Sequence, residues 1–242
     1  MPKITTMRAP PANTLLAALP KREYQRLLSH LEETPLLFAK VIYEPGDPFL
    51  EVYFPTSGIV SLLAAAESRA TLEVGIVGKE GVVGVPVFLG GKKSHDRAVV
   101  QGAGSALKMK ATVFRKECDN GGLLPRLLRR YTHSLLTQIS QTAVCNRFHS
   151  IDARLARWLL MTGDRMGADE FQLTQEFLSN MLGVRREGVN KAAGLLQQQR
   201  LISYSRGTLR ILNRAGLEAV ACQCYAIIKE EYDASSQISR AT

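Results

Sequence analysis

The chain has 242 residues, of which 45 % are hydrophobic and 22 % charged, enough apolar material for one large core or two modest ones without disulfide support. Against 22 Asp and Glu stand 31 Lys and Arg, a formal charge of +9 that suits polyanions such as nucleic acid or anionic membrane, and equally a plain solvated surface. No apolar run reaches the roughly 20 residues of a membrane span, and Pro10, Pro11 and Pro20 interrupt any signal-peptide core, so a cytoplasmic chain without membrane contact is expected.

Residues 13–30 read as helical. Gly and Pro then punctuate short β-rich runs: "KVIYEPGDPFLEVYFPTSGIVSLLAAA", "ATLEVGIVGKEGVVGVPVFLGG" and "DRAVVQGAGSALKMKA". Pieces of about 4–8 residues rich in Val, Ile, Tyr and Phe, bounded by turn residues, predict short antiparallel strands in a sandwich or jelly roll. After Gly121-Gly122 the turn residues nearly vanish. A helix is predicted over 123–149, with Pro125 in its first turn, where proline is tolerated. Leu124, Leu128, Tyr131, Leu135, Gln138, Thr142 and Cys145 follow 4-3 spacing, which predicts a coiled-coil seam and a homodimer.

A helix over 152–166 comes next. "FQLTQEFLSNMLGV" predicts another, with Thr174 at its start and Gly183 as the turn into a helix over 185–199. "LISYSRGTLRIL" reads as a hairpin around Ser205-Arg206-Gly207, and Asn213 caps a last amphipathic helix carrying Leu217, Val220, Ala221 and Cys224. Helix, Gly turn, helix and hairpin is the order of a winged helix-turn-helix. In its second helix Val189, Ala192, Ala193 and Leu196 form one apolar stripe, while Glu187, Asn190, Lys191 and Gly194 take the opposite face with Arg186 at the flank. Arg and Lys donate to guanine, Asn pairs with adenine and Glu accepts from cytosine, so this face suits base reading. Thr174, Gln175, Arg206 and Arg210 are the candidates for phosphate contacts.

Leu173, Thr174, Leu178, Leu182, Gly183, Arg186, Glu187, Val189 and Lys191, with Leu201-Ile202 opening the wing, make the chain resemble the Crp/Fnr family of regulators, the cyclic-AMP receptor protein and its relatives. The resemblance extends to "YEPGDPFLEVYFPTSGIVSLL", the long helix and "SIDARLARWLL". It implies an α+β chain: a β jelly-roll sensor domain at 1–121, a dimerisation helix at 122–150, and a winged helix-turn-helix DNA-binding domain with C-terminal helix at 151–242. It also implies that Arg186, Glu187 and Lys191 meet bases in a palindromic operator, with RNA polymerase as a further partner. In the long helix Leu124, Leu128, Tyr131, Leu135 and Thr142 are the expected dimer contacts.

The family's cyclic-nucleotide cassette is degenerate here. Gly84 and Arg97 fit it, but Val85 replaces the ribose-binding Glu, Pro86 removes a backbone donor and Ala98 stands at a hydroxyl position. The adenine-reading Thr-Ser pair of the long helix becomes Ile139-Ser140. An effector other than cyclic AMP, bound near Gly84, Arg97, Ile139 and Ser140, or an empty sensor is therefore expected. The N-terminal cysteine group of the family's iron–sulfur sensors is missing, and His95 is the nearest haem-ligand candidate. Cys118, Cys145, Cys222 and Cys224 contain no C-x-x-C pair and are read as plain buried thiols, with no metal and no cofactor. "GAGSAL" at 102–107 opens no helix, and no nucleophile triad or P-loop stands out, so no enzyme is expected.

Overall fold

The computed structural model describes residues 12–65 and 71–237. In chain order the elements are α1 Thr14–Ala17, α2 Lys21–Leu28, β1 Glu32–Leu36, β2 Val41–Tyr43, β3 Glu51–Ala65, β4 Thr71–Val77, α3 Val85–Phe88, β5 Arg97–Lys110, α4 Ala111–Asp119 and α5 Leu124–Phe148. The second half adds α6 Ile151–Met166, β6 Glu170–Gln172, α7 Gln175–Leu182, α8 Arg186–Gln198, β7 Ile202–Ser205, β8 Thr208–Ile211, α9 Arg214–Val220 and α10 Cys224–Gln237. Two predicted helices are each split. Pro20, which has no N–H to continue α1, takes the N-cap position of α2 at φ −55°. Near the C-terminus the chain turns extended at Ala221 (ψ 145°), which separates α9 from α10.

The N-terminal sheet is antiparallel, in the order β1-β5-β3-β4 with β2 also on β5. Its two long strands carry register shifts between Pro55 and Val60, and these bulges bend the sheet into the expected roll. Both faces are covered. Val52, Phe54, Val60, Val100 and Met109 pack in one core with Phe114 of α4 and with Leu128 and Tyr131 of α5. Ile59, Leu63, Ile76 and Val99 join a second core with Trp158 and Leu159 of α6 and the apolar stripe of α8. The N-terminal sheet is thus one wall of the C-terminal core, and α6 is buried nearly all round because it fills the space between them.

A polar chain crosses that wall. Trp158 Nε1 donates to Glu73 Oε1 at 2.8 Å, and Gln101 Nε2 donates to Thr162 Oγ1 at 3.0 Å. Ser61 Oγ lies 2.6 Å from Glu73 Oε2 and 2.7 Å from Gln101 Oε1. Burial pushes the Glu73 carboxyl up to about 7, against the hydrogen bonds from Ser61 and Trp158 and the nearby guanidinium groups, which lower it.

The structure corrects the dimer seam. Leu124, Leu128, Tyr131, Leu135 and Thr142 are all buried inside the chain itself. Leu135 faces β4 at Gly75, the Tyr131 ring packs tilted against Tyr232 of α10, and the Thr142 hydroxyl accepts from Arg157 Nη1 at 3.2 Å. Gln138 of the same stripe bridges Ile76 N and Tyr232 Oη, at 2.8 Å each. The stripe was real, but this chain's own sheet and α10 cover it. Arg129, His133, Leu136, Ser140, Ala143, Val144 and Arg147 form the face of α5 left exposed.

The turn from α7 to α8 rests on the N-terminal sheet. Gly183 holds φ +61°, and a Cβ there would stand 2.7 Å from Leu72 Cδ1 of β4. Since Leu72 can rotate away, the left-handed backbone supplies most of the cost. Gly183→Ala is expected to lower stability by about 1–2 kcal/mol, measured by urea denaturation; an unchanged midpoint would refute this account of the turn.

Candidate nucleic-acid interface and sensor cavity

Thr174 caps α7, its hydroxyl accepting from Phe177 N at 3.0 Å. At the other end Gly183 closes the helix, and Arg154 Nη2 donates to the Leu182 carbonyl, a cation at a helix C-terminus. Val189, Ala192, Ala193 and Leu196 bury one side of α8. Because Ala192 and Ala193 are small, the helix lies close on its neighbours, and Arg186, Glu187, Asn190 and Lys191 stand exposed on the outer side. Sequence reading and structure agree on this face.

The hairpin is held beside it. Arg206 (φ +52°) and Gly207 (φ +81°) form a two-residue turn with both φ positive, the geometry that matches strand twist. β6 completes a three-stranded sheet, β6-β8-β7. Leu173 N donates to Gly207 O at 2.7 Å and Tyr204 Oη to Leu173 O at 2.8 Å, which locks the wing to the start of α7. Thr174, Gln175, Arg186, Arg206 and Gly207 consequently line one groove of about 440 Å³. Arg210 lies apart, on β8 with its Nε 3.7 Å from Glu170 Oε2, so its charge is already partly matched.

In the N-terminal domain a cavity of about 140 Å³ is lined by Gly84, Val85, Pro86, Leu89, Leu136 and Ile139, among others. Two of the four effector candidates are not on it. Arg97 lies 3.1 Å from Glu44 Oε1 in a half-exposed ion pair, and Ser140 is exposed on α5. Asp96, whose carboxyl burial pushes upward, lines the cavity instead. The volume is below the roughly 300–1,000 Å³ of ordinary small-molecule sites, and beside the hydroxyls of Tyr43, Ser94 and Thr132 the lining offers the Asp96 carboxyl and no Lys or Arg to hold a phosphate.

Away from both sites the fold gathers side chains that the sequence reading set apart. The reactive atoms of Cys145, His149, Cys222 and Cys224 all lie within 4.8 Å of one another. The reading of unconnected thiols is thereby corrected. One signal was available: Cys145 and His149 are one helical turn apart. The break between α9 and α10, which brings in the other pair, was not legible.

A winged helix-turn-helix with an exposed polar recognition helix, carried on a sensor-type antiparallel roll, defines a class of DNA-binding regulator. Residues 153–220 match the Crp-like helix-turn-helix domain. The chain therefore carries a Crp-like helix-turn-helix domain, the unit with which such regulators bind DNA. Among curated relatives it is 25 % identical over 190 residues to the global nitrogen regulator of Synechococcus elongatus, covering 74 % of this chain and 84 % of that one. The global nitrogen regulator of a Nostoc species is also 25 % identical, over 182 residues, covering 71 % and 81 %. Among solved structures, FixK2 from Bradyrhizobium japonicum superposes with TM-score 0.68 at 18 % identity, covering 79 % of this chain and 98 % of its own. The c-di-GMP-responsive global regulator CLP of Xanthomonas campestris superposes with TM-score 0.64 at 18 % identity, covering 79 % and 99 %.

Proposed function

We propose that the chain binds a palindromic operator as a homodimer, with the outer face of α8 in the major groove. Arg186 and Lys191 donate to guanine, Asn190 pairs with adenine and Glu187 accepts from cytosine, while Thr174, Gln175 and Arg206 hold phosphates. The observation that carries this reading is the groove uniting the start of α7, Arg186 and the hairpin tip beside an exposed α8. In this reading residues 1–121 sense, 122–150 dimerise and 151–242 bind DNA, without catalytic activity, in the cytoplasm and beside RNA polymerase. The dimer forms through the exposed α5 face that carries Leu136, Ala143 and Val144. Half-site centres then lie about 34 Å apart on the duplex. Analytical ultracentrifugation with palindromic and random duplexes tests it; a monomer that binds one half-site tightly would overturn the dimer.

The effector is not cyclic AMP. Arg97 is engaged by Glu44, and the cavity at Gly84 and Ile139 is small and borders Asp96. Desolvating a cyclic phosphate there costs several kcal/mol unless donors replace its water, and Val85, Pro86 and Ala98 supply none from their side chains. Calorimetry is expected to detect no micromolar cyclic AMP binding; such binding, lost in Arg97→Ala, would sink the statement. The small cavity also favours a second reading, a constitutive regulator with an empty sensor. Unchanged operator affinity with and without small-molecule cell extract would support that reading.

A further inference from the structure

We propose that Cys145, His149, Cys222 and Cys224 hold one zinc-type divalent ion in a four-coordinate site of three sulfurs and one imidazole nitrogen. The site joins the two halves of the regulator. Cys145 lies on the last turn of α5, and His149 is the C-cap at the joint between α5 and α6, its N–H donating to the Cys145 carbonyl at 3.2 Å. Cys222 and Cys224 come from the other side. α9 ends at the extended Ala221, the chain doubles back with Tyr225 N donating to Cys222 O at 3.0 Å, and α10 begins at Cys224.

The distances fit an ion better than they fit bare thiols. Cys145 Sγ lies 3.4 Å from Cys222 Sγ, and Cys224 Sγ lies 3.6 Å from His149 Nδ1. A tetrahedral zinc with sulfurs at about 2.3 Å and nitrogen at about 2.0 Å has edges of roughly 3.5–3.8 Å. The two observed edges are within a few tenths of that, and the longest separation in the group, at most 4.8 Å, closes with small χ rotations. A disulfide needs sulfurs about 2.05 Å apart. Three thiolates and an imidazole are soft and borderline ligands that select zinc-like ions over magnesium or calcium.

Charge gives an independent reason. Arg157 is buried, donates only to Thr142 Oγ1 and Met161 Sδ, and forms no ion pair among the described residues. Its guanidinium is close enough to act on Cys145, Cys222 and Cys224 alike. Three thiolates with one divalent ion leave a single negative charge, which Arg157 and the neighbouring buried Arg154 offset, Arg157 acting also on Glu73. All four ligands come from the protein, so the site is closed and structural, with no open position for substrate. It ties the loop between α9 and α10 to the joint from which the DNA-binding helices depart.

The full chain, produced in zinc-replete medium and purified under thiol reductant, is expected to carry one zinc per protomer by mass spectrometric metal analysis. Exchange into cobalt(II) should give tetrahedral ligand-field bands with thiolate-to-cobalt charge transfer. Cys222→Ser and His149→Gln alter partly exposed positions, so both should fold, as far-UV circular dichroism will verify. Each should weaken zinc binding by more than the roughly 10–100-fold that loss of a ligand's supporting partner costs, while Cys118→Ser, outside the group, keeps the metal. Zinc-free protein from zinc-replete cells, iron with sulfide in place of zinc, or a Cys222→Ser chain with undiminished affinity and an unchanged cobalt spectrum would each overturn the site. So would recovery of a Cys145–Cys222 disulfide from the reduced preparation.

Discussion

Between about pH 5 and about pH 8, Glu73→Gln is expected to gain on the wild type by on the order of 2–3 kcal/mol in unfolding free energy. The reason is the polar chain between the N-terminal sheet and α6. Glu73 is fully enclosed, and burial raises its carboxyl from the ordinary 4.5 to about 7 in the folded chain. A folded value above the unfolded one means that the folded state holds the proton more tightly. The stabilisation is therefore complete below about pH 4.5 and is lost as pH rises through about 7. The hydrogen-bond geometry agrees. With Gln101 Nε2 on Thr162, the single Ser61 hydroxyl proton faces two acceptors, Glu73 Oε2 at 2.6 Å and Gln101 Oε1 at 2.7 Å, and cannot serve an ionised carboxylate and the amide oxygen together, whereas a protonated carboxyl relieves that conflict. A glutamine amide reproduces that arrangement, donating to Ser61 and accepting from Trp158 Nε1 without a titrating proton. Urea denaturation of both chains across the range reads the difference, and parallel pH profiles would rule the assignment out.

Arg186→Ala and Lys191→Ala are each expected to cost about 1–3 kcal/mol on the cognate operator and little on random duplex. Their side chains stand exposed on α8, with no partner among the described residues that a truncation would strand, so such a loss would belong to the proposed DNA contact. Arg206→Ala should act differently. The arginine lies at the hairpin tip, which the proposed docking sets against the DNA backbone, so affinity should fall on every sequence and the salt slope should drop by about 1. Fluorescence anisotropy on cognate and random duplexes at several salt concentrations separates the two behaviours. Equal loss on both duplexes for Lys191→Ala would remove that residue from base reading.

The recognition unit was legible because its signals are local. A capping threonine, a Gly turn, small residues at helical spacing and a Ser-Arg-Gly hairpin each act within a few residues, and together they specify α7, α8 and the wing. The roll was legible for the same reason, through turn residues bounding short β runs. Other questions had no local answer. Periodicity shows that α5 carries an apolar stripe, but Leu128, Tyr131 and Leu135 can be covered by a twin or by the chain's own sheet and α10, and packing chose the latter. Arg97 matches a phosphate-binding position in sequence, yet Glu44, more than fifty residues earlier, claims its charge. The four ligand side chains come from two segments some seventy residues apart, and they meet only because the last helix breaks after Val220 and α10 returns along α5. Local chemistry set each element and its apolar face; what covers each face, and which charges meet, followed from long-range packing, where burying one surface excludes every other use of it.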